Sequence, residues 1–376
     1  MRPVVSCILL FLLTPGAAGA GGLSETSGRL RLQLGHEYDT NAQRICTSPL
    51  AKDTSPPPPP DGVTRLIAEG ALDYTTGRHN LMLNFLGGVK LFSNQTNEDL
   101  MAVKLAGVYA LKASNNWSLG GRLTARDTTL RYHDRDYTVV RAELFQQNRL
   151  LSWISLEVFL GGRYFLFKPD KYAFYGERNF SHAGPVGGLR LHLGAGSAVR
   201  TVFFYNLGVR FFDDNAKSLD GENTKDLEED RLDLRHTGGV RVKHPVRYWG
   251  ARRLILELSY LLSFNDSNSA GSSALWHRLR LVVSLQLPLD ITLHVMGTLQ
   301  FTDYPDGIYF DELVYEPEAD ENENSLVVRI GYPLWKGLSL VLQGAIYRND
   351  FQESADDLGR FKRETIMLGL AYDYSF

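Results

Sequence analysis

From Arg29 to the C-terminus, apolar and polar residues alternate one for one in segment after segment. Leu30, Leu32 and Leu34 share one side of their segment, with Arg29, Arg31 and Gln33 on the other. Segment 65–74 sets Leu66, Ala68, Gly70, Leu72 and Tyr74 against Arg65, Glu69 and Asp73. Segment 253–264 aligns Leu254, Leu256, Leu258, Tyr260, Leu262 and Phe264, and segment 277–287 aligns five aliphatic residues opposite Arg278 and Arg280. A period of two is the signature of a β-strand with one face in an apolar medium and the other against something polar. The pattern predicts strands at 28–38, 63–75, 80–92, 99–112, 117–131, 137–147, 151–167, 184–193, 199–212, 231–243, 253–264, 275–287, 291–304, 325–332, 338–348 and 363–376.

The connections alternate in length as well. Short turns fall at Thr76–His79, Ala113–Asn116, Gly194–Ala198, Pro288–Asp290 and Pro333–Gly337, and longer links at 39–62, 168–183, 213–230, 265–274, 305–324 and 349–362. A soluble sandwich would also alternate, but its strands usually run to about 5 or 6 residues. Here the runs reach about 10 to 15, the length of a tilted membrane strand. Aromatic residues crowd the segment ends: Tyr38, Tyr74, Trp117, Tyr137, Trp153, Phe211, Phe264, Trp276, Tyr304, Tyr332 and Trp335 fit two interfacial girdles. The expected fold is all-β: a transmembrane antiparallel up-and-down β-barrel of about 16 strands (14–18).

Composition sharpens this picture. Arg2, the apolar run Val4–Leu13 and Ala18-Gly19-Ala20 read as a cleaved signal peptide over residues 1–20. Residues 21–376 then form a single outer-membrane barrel domain, with Pro56–Pro60 a stiff loop rather than a linker. Nothing after residue 20 has the roughly 20 apolar residues of a spanning helix. Only Cys7 and Cys46 are present, and Cys7 leaves with the signal, so neither a disulfide framework nor a cysteine metal site is expected. The formal charge of -3 points to no polyelectrolyte partner.

The last segment, Arg363–Phe376, places Ile366, Leu368, Leu370, Tyr372, Tyr374 and Phe376 on one side and stops on an aromatic residue. It resembles the C-terminal targeting strand of Gram-negative outer-membrane barrels. That resemblance implies recognition by the barrel-assembly machinery, with Leu370, Tyr372, Tyr374 and Phe376 as the recognised residues, and closure of the wall against the first strand. Glu37-Tyr38-Asp39-Thr40-Asn41 resembles the first-strand ending of barrels that accompany polysaccharide or surface-protein export. The same five residues also read as a girdle tyrosine followed by a turn.

With the leucine side given to lipid, parity assigns Arg29, Arg31, Arg65, Lys90, Lys104, Arg122, Arg126, Arg141, Arg163, Arg190, Arg200, Arg210, Arg235, Arg241, Lys243, Arg278, Arg280 and Arg329 to the lumen. The acidic set is smaller: Glu69, Asp73, Glu143, Glu157, Asp233, Glu257 and Asp373. A positive wall concentrates anions. The expected function is a porin-like channel for small, preferentially anionic solutes; the alternative is the barrel of an export or surface-assembly system. Expected partners are outer-membrane lipid and lipopolysaccharide, the assembly machinery and small solutes, with no nucleic acid and no cofactor. The acidic links 213–230 and 305–324 lack the ligand spacing of a calcium loop, so no metal is expected; the second, with Tyr309, Phe310 and Tyr315, is a candidate plug. Catalysis is not expected: His133-Asp134 and Asp136 resemble the His-Asp pair of omptin-like barrel proteases over too few residues. His192 and His294 are expected in the lumen wall.

Overall fold

The computed structural model describes residues 24–41, 59–130, 136–168, 181–194, 198–220, 223–248, 252–270, 272–303, 324–349 and 361–376. They form sixteen strands: β1 Ser24–Asp39, β2 Asp61–Thr76, β3 His79–Phe92, β4 Leu100–Lys112, β5 Trp117–Leu130, β6 Asp136–Leu151, β7 Ile154–Lys168, β8 His182–Leu193, β9 Arg200–Asp220, β10 Asn223–Tyr248, β11 Arg252–Ser267, β12 Ala274–Gln286, β13 Thr292–Asp303, β14 Asn324–Trp335, β15 Leu338–Asn349 and β16 Phe361–Ser375. Each pairs antiparallel with its sequence neighbours, and β16 returns to β1 to close the wall. Closure satisfies the backbone groups of every strand inside the wall, the condition for crossing hydrocarbon.

The short turns gather at one rim and the long connections at the other, except that β9 and β10 extend at the latter rim and are joined by two residues. Gly77, at φ 54°, and Gly337, at φ 77°, supply the left-handed residue of the two-residue turns between β2 and β3 and between β14 and β15. The strands are steeply inclined. Followed sideways through the ladders, Ser27 near the start of β1 is level with Asp73, then Met82, Val108, Arg122 and onward to Arg235 and Asn265, almost at the far end of β11. This stagger is the tilt that closes a sheet into a cylinder.

The outer surface carries the leucines. Leu34, Leu144, Leu160, Leu299, Ile366 and Leu370 are all exposed, Leu144 at 74%. Such a continuous apolar belt is insoluble in water and matches the hydrocarbon-facing band of a transmembrane barrel. Tyr38, Tyr74, Trp117, Trp153, Phe211, Phe264, Tyr332 and Trp335 are exposed along this outer face, as girdle residues should be. Tyr137 and Trp276 are not. Both share the parity of the inward arginines and are buried inside, Tyr137 against Phe165 and Trp276 beneath Arg235. Strand ends alone cannot tell a girdle aromatic from one that packs inward. Tyr304 lies outside the described residues.

The link expected at 213–230 is corrected too: β9 continues to Asp220 and β10 begins at Asn223, so the acidic segment is the upper part of a long hairpin. Two register shifts, around Asp226 to Asp230 and Asp230 to Leu232, bend it. The β11–β12 connection holds the hairpin through Asn268 on Leu232 and Ala270 on Lys217. High polarity obscured the strand signal there, because both faces of this extension lie beyond the lipid.

Candidate functional site: the inner wall

A barrel of this size encloses a lumen, so its chemistry resides in the inward side chains. The registers place every basic residue expected in the lumen on the face opposite the leucine belt. Their surroundings differ sharply around the circumference.

From β5 to β8 the basic residues are tied together. Arg122 donates to Glu143 at 3.2 Å and to Glu157, Arg141 reaches Glu143 at 2.5 Å, and Arg190 reaches Glu157 at 2.5 Å and Glu143 at 3.6 Å. Both glutamates are buried. Arg122 lies over the Phe145 ring at 4.2 Å and Arg190 over Phe159 at 4.3 Å. Phe145, Phe159 and Val186 form an inner apolar cluster beneath them. Phe159 lies flat across Gly188, where a Cβ would meet its ring at 2.9 Å; glycine there lets the ring settle on the sheet. Charge in this arc is spent on packing.

Other basic residues are anchored singly. Arg65 binds Glu37 at 2.5 Å. Arg278 Nε donates to Gln300 at 2.9 Å, and Arg235 Nε to Ser263 at 3.0 Å. Arg241 sits 3.7 Å from Glu257 in the open, and Arg126 stacks over Tyr137 at 5.4 Å. Lys90, Arg163 and Arg210 stand opposite Arg65, Arg141 and Asp233 in the ladders. Among the described residues, Arg29, Lys104, Arg200, Lys243, Arg280 and Arg329 have no carboxylate at ion-pair distance. Arg280 instead contacts Met296 Sδ at 3.1 Å, and Arg329 donates to the Gln33 side-chain oxygen at 2.6 Å.

Several charged residues escaped the sequence-based assignment, Glu37, Asp39, Arg231 and Arg363 among them. Glu37 and Asp39 share the parity of Arg29 and Arg31, and Arg363 shares that of Asp373; parity carried to the strand ends would have found all three. Arg231, held by Asp233 at 2.8 Å, fell within the segment read as a link. Asp39 and Arg363 form a buried bidentate pair across the β1–β16 seam, with contacts of 2.5 to 3.1 Å. Together Glu37, Asp39, Arg231 and Arg363 add two acids and two bases, so the net charge of the inward set is unchanged while more of it is held in ion pairs.

His192 and His294 face inward; His294 Nδ1 is 2.9 Å from Ser284 Oγ. His133, Asp134 and all of the candidate plug at 305–324 except Asn324, which opens β14, lie outside the described residues. Asp136 is described, and its carboxylate accepts the Leu130 backbone N–H at 2.6 Å, closing the β5–β6 connection.

No model of a known protein family matches the chain, and no curated protein matches it in sequence. Solved structures do. The outer-membrane channel DcaP of Acinetobacter baumannii aligns with 96% of this chain and 100% of its own at a TM-score of 0.50 and 12% identity. Pseudomonas aeruginosa OprD aligns over 93% and 95% with a TM-score of 0.39 and 10% identity. CdiB from Acinetobacter baumannii aligns over 93% of this chain and 60% of its own, with a TM-score of 0.49 and 10% identity. At such identities the likeness concerns the fold alone, a closed antiparallel β-barrel.

Proposed function

We propose that this protein is a passive, porin-like channel of the outer membrane that admits small hydrophilic solutes and favours anions. The observation that carries the reading is the surplus of inward cations left after local pairing: Arg29, Lys104, Arg200, Lys243, Arg280 and Arg329 lack a carboxylate partner among the described residues. In a water-filled tube with low-dielectric walls, such charges raise the local anion concentration. Sixteen strands suffice to enclose an aqueous path. In the same reading lipid and lipopolysaccharide surround the leucine belt, and Leu370, Tyr372, Tyr374 and Phe376 present the assembly signal.

The export alternative rests on Glu37–Asn41, and those residues have another occupation. Glu37 holds Arg65, Asp39 holds Arg363, the Thr40 hydroxyl accepts the Glu364 N–H at 2.8 Å, and Asn41 donates to the Lys362 carbonyl at 3.2 Å. They latch the outer end of β1 to its two neighbours, which accounts for the motif without a transported polymer.

The test is a planar bilayer holding refolded protein under a salt gradient. Steady conductance with a reversal potential displaced toward that of chloride is expected. A displacement toward potassium, or no conductance, overturns the reading.

A further inference from the structure

The arc running from β13 through β16 to β2 holds a small group of charges of both signs. In the ladders Arg31 stands directly opposite Asp373 on one side and Glu69 on the other, giving an acid–base–acid row. Arg329, on β14, lies within electrostatic reach of Arg31, Glu69 and Asp373, and of Arg65, which Glu37 already engages. His294 stands opposite Arg329 and feels both arginines.

These charges are gathered without being consumed. The Arg31–Asp373 separation is 4.0 Å, too long for a hydrogen bond, and Asp373 keeps 41% of its side chain exposed. Arg31 Nε is buried without a hydrogen-bond partner among the described residues. Glu69 has no ion-pair contact there either. Arg329 spends one amino group on Gln33, itself buried and held by Met367 Sδ at 3.5 Å, which fixes the direction of the guanidinium. Across β5 to β8, and toward the outer ends of β16, β1 and β2, buried acids and arginines meet at about 2.5 to 3.2 Å; in this group they stand apart, with donors and acceptors unspent.

We infer that this cluster is a binding site for a small zwitterion, a solute bearing a carboxylate and an ammonium a few ångströms apart, as in a free α-amino acid. Arg31 and Arg329 receive the carboxylate, since guanidinium forks match its geometry. Glu69 and Asp373 receive the ammonium. A plain anion would satisfy only the arginines and face two carboxylates; a plain cation meets the converse. A zwitterion alone fits both signs.

The inference rests on the channel reading, because the solute must enter the lumen. Its test measures tracer uptake by proteoliposomes carrying the full chain, with L-alanine as probe and propionate and ethylamine as singly charged solutes of similar size. L-alanine uptake should saturate at millimolar concentration, whereas propionate and ethylamine uptake should rise linearly. Arg329→Gln and Glu69→Gln should each raise the half-saturating L-alanine concentration at least tenfold while conductance in potassium chloride persists. Linear L-alanine uptake, saturation by either singly charged probe in the same range, or saturation unchanged in both variants would overturn the zwitterion site while leaving the channel intact. Absence of both conductance and uptake removes the site together with the channel reading.

Discussion

Two arcs of one inner wall use the same residue types to opposite ends. In the arc from β5 to β8, three arginines close on two buried glutamates and lie on phenylalanine rings. In the arc from β13 to β2, Arg31 and Arg329 stand among Glu69 and Asp373 with no short ion pair. Strand position and polarity are alike, and both arcs face the lumen. The aromatic floor makes the difference. Phe145 and Phe159 raise the first arc off the sheet and exclude water around the carboxylates, so an ion pair there gains strength. The second arc has an aliphatic floor of Val341, Met367 and Ala371 with the amide of Gln33 on it, and no aromatic ring in that cluster. Its arginines are as covered as those of the first arc, but its acids stay wetter than Glu143 and Glu157. Arg31 Nε has no hydrogen-bond partner among the described residues, so both signs keep unspent bonding capacity. Counting basic residues on an inner barrel wall therefore overstates the charge left free of partners.

The comparison breaks most visibly at Glu157. Glu157→Gln leaves Arg122 and Arg190 sharing Glu143 across a buried position, so their mutual repulsion is no longer balanced. Breaking a buried pair of this kind costs about 3 kcal/mol, and denaturant unfolding of the detergent- or lipid-refolded barrel should register a loss of that size. An unchanged midpoint would mean that the knot contributes packing without electrostatic stabilisation.

The fold was legible in the sequence because a membrane barrel writes its register in a binary code. Every one of the sixteen strands appears within a few residues of its predicted span wherever one face meets lipid and the other water. The code failed where that contrast ends. On the β9–β10 extension both faces are wet, so Asp213, Asp214 and Glu228 to Asp230 read as a link. At Tyr137 and Trp276 the inward face is itself apolar, and the parity that assigned their arginine neighbours was overruled by the habit of placing aromatics in girdles. The candidate site was legible only as a face. Which arginines are consumed depends on partners such as Glu37 and Asp39, and on Phe145 lying over its neighbouring strand, none of which alternation reveals.

A smaller effect is expected at the seam. Asp39→Asn keeps the shape of the side chain but gives up the charge that holds Arg363 in a buried, bidentate contact. Thr40 and Asn41 still tie β1 to β16 through the Glu364 and Lys362 backbone, so the outer end of the wall loosens without opening. A loss of about 2 kcal/mol is expected, below that at Glu157, because charge-assisted hydrogen bonds are weakened while the neighbouring links survive. Hydrogen exchange should speed up at the outer residues of β1 and β16 while mid-strand amides stay protected. Uniform acceleration along both strands would show that the seam depends on this pair throughout.

The smallest stability effect, and the most selective functional one, belongs to Arg329. Its guanidinium makes no ion pair at contact distance among the described residues, and removing it relieves crowding with Arg31 while giving up one hydrogen bond to Gln33. These changes oppose each other, so Arg329→Gln should alter unfolding free energy by no more than about 1 kcal/mol. The same substitution removes a cation from the second arc, and the reversal potential in a salt gradient should move measurably away from chloride. Arg190→Gln should show the reverse balance, with a large stability loss and a small change in ion preference, because its charge is already spent on Glu157. If the two variants shift the reversal potential equally, the lumen responds to total charge alone, and the distinction between a packed arc and an available one has no functional meaning.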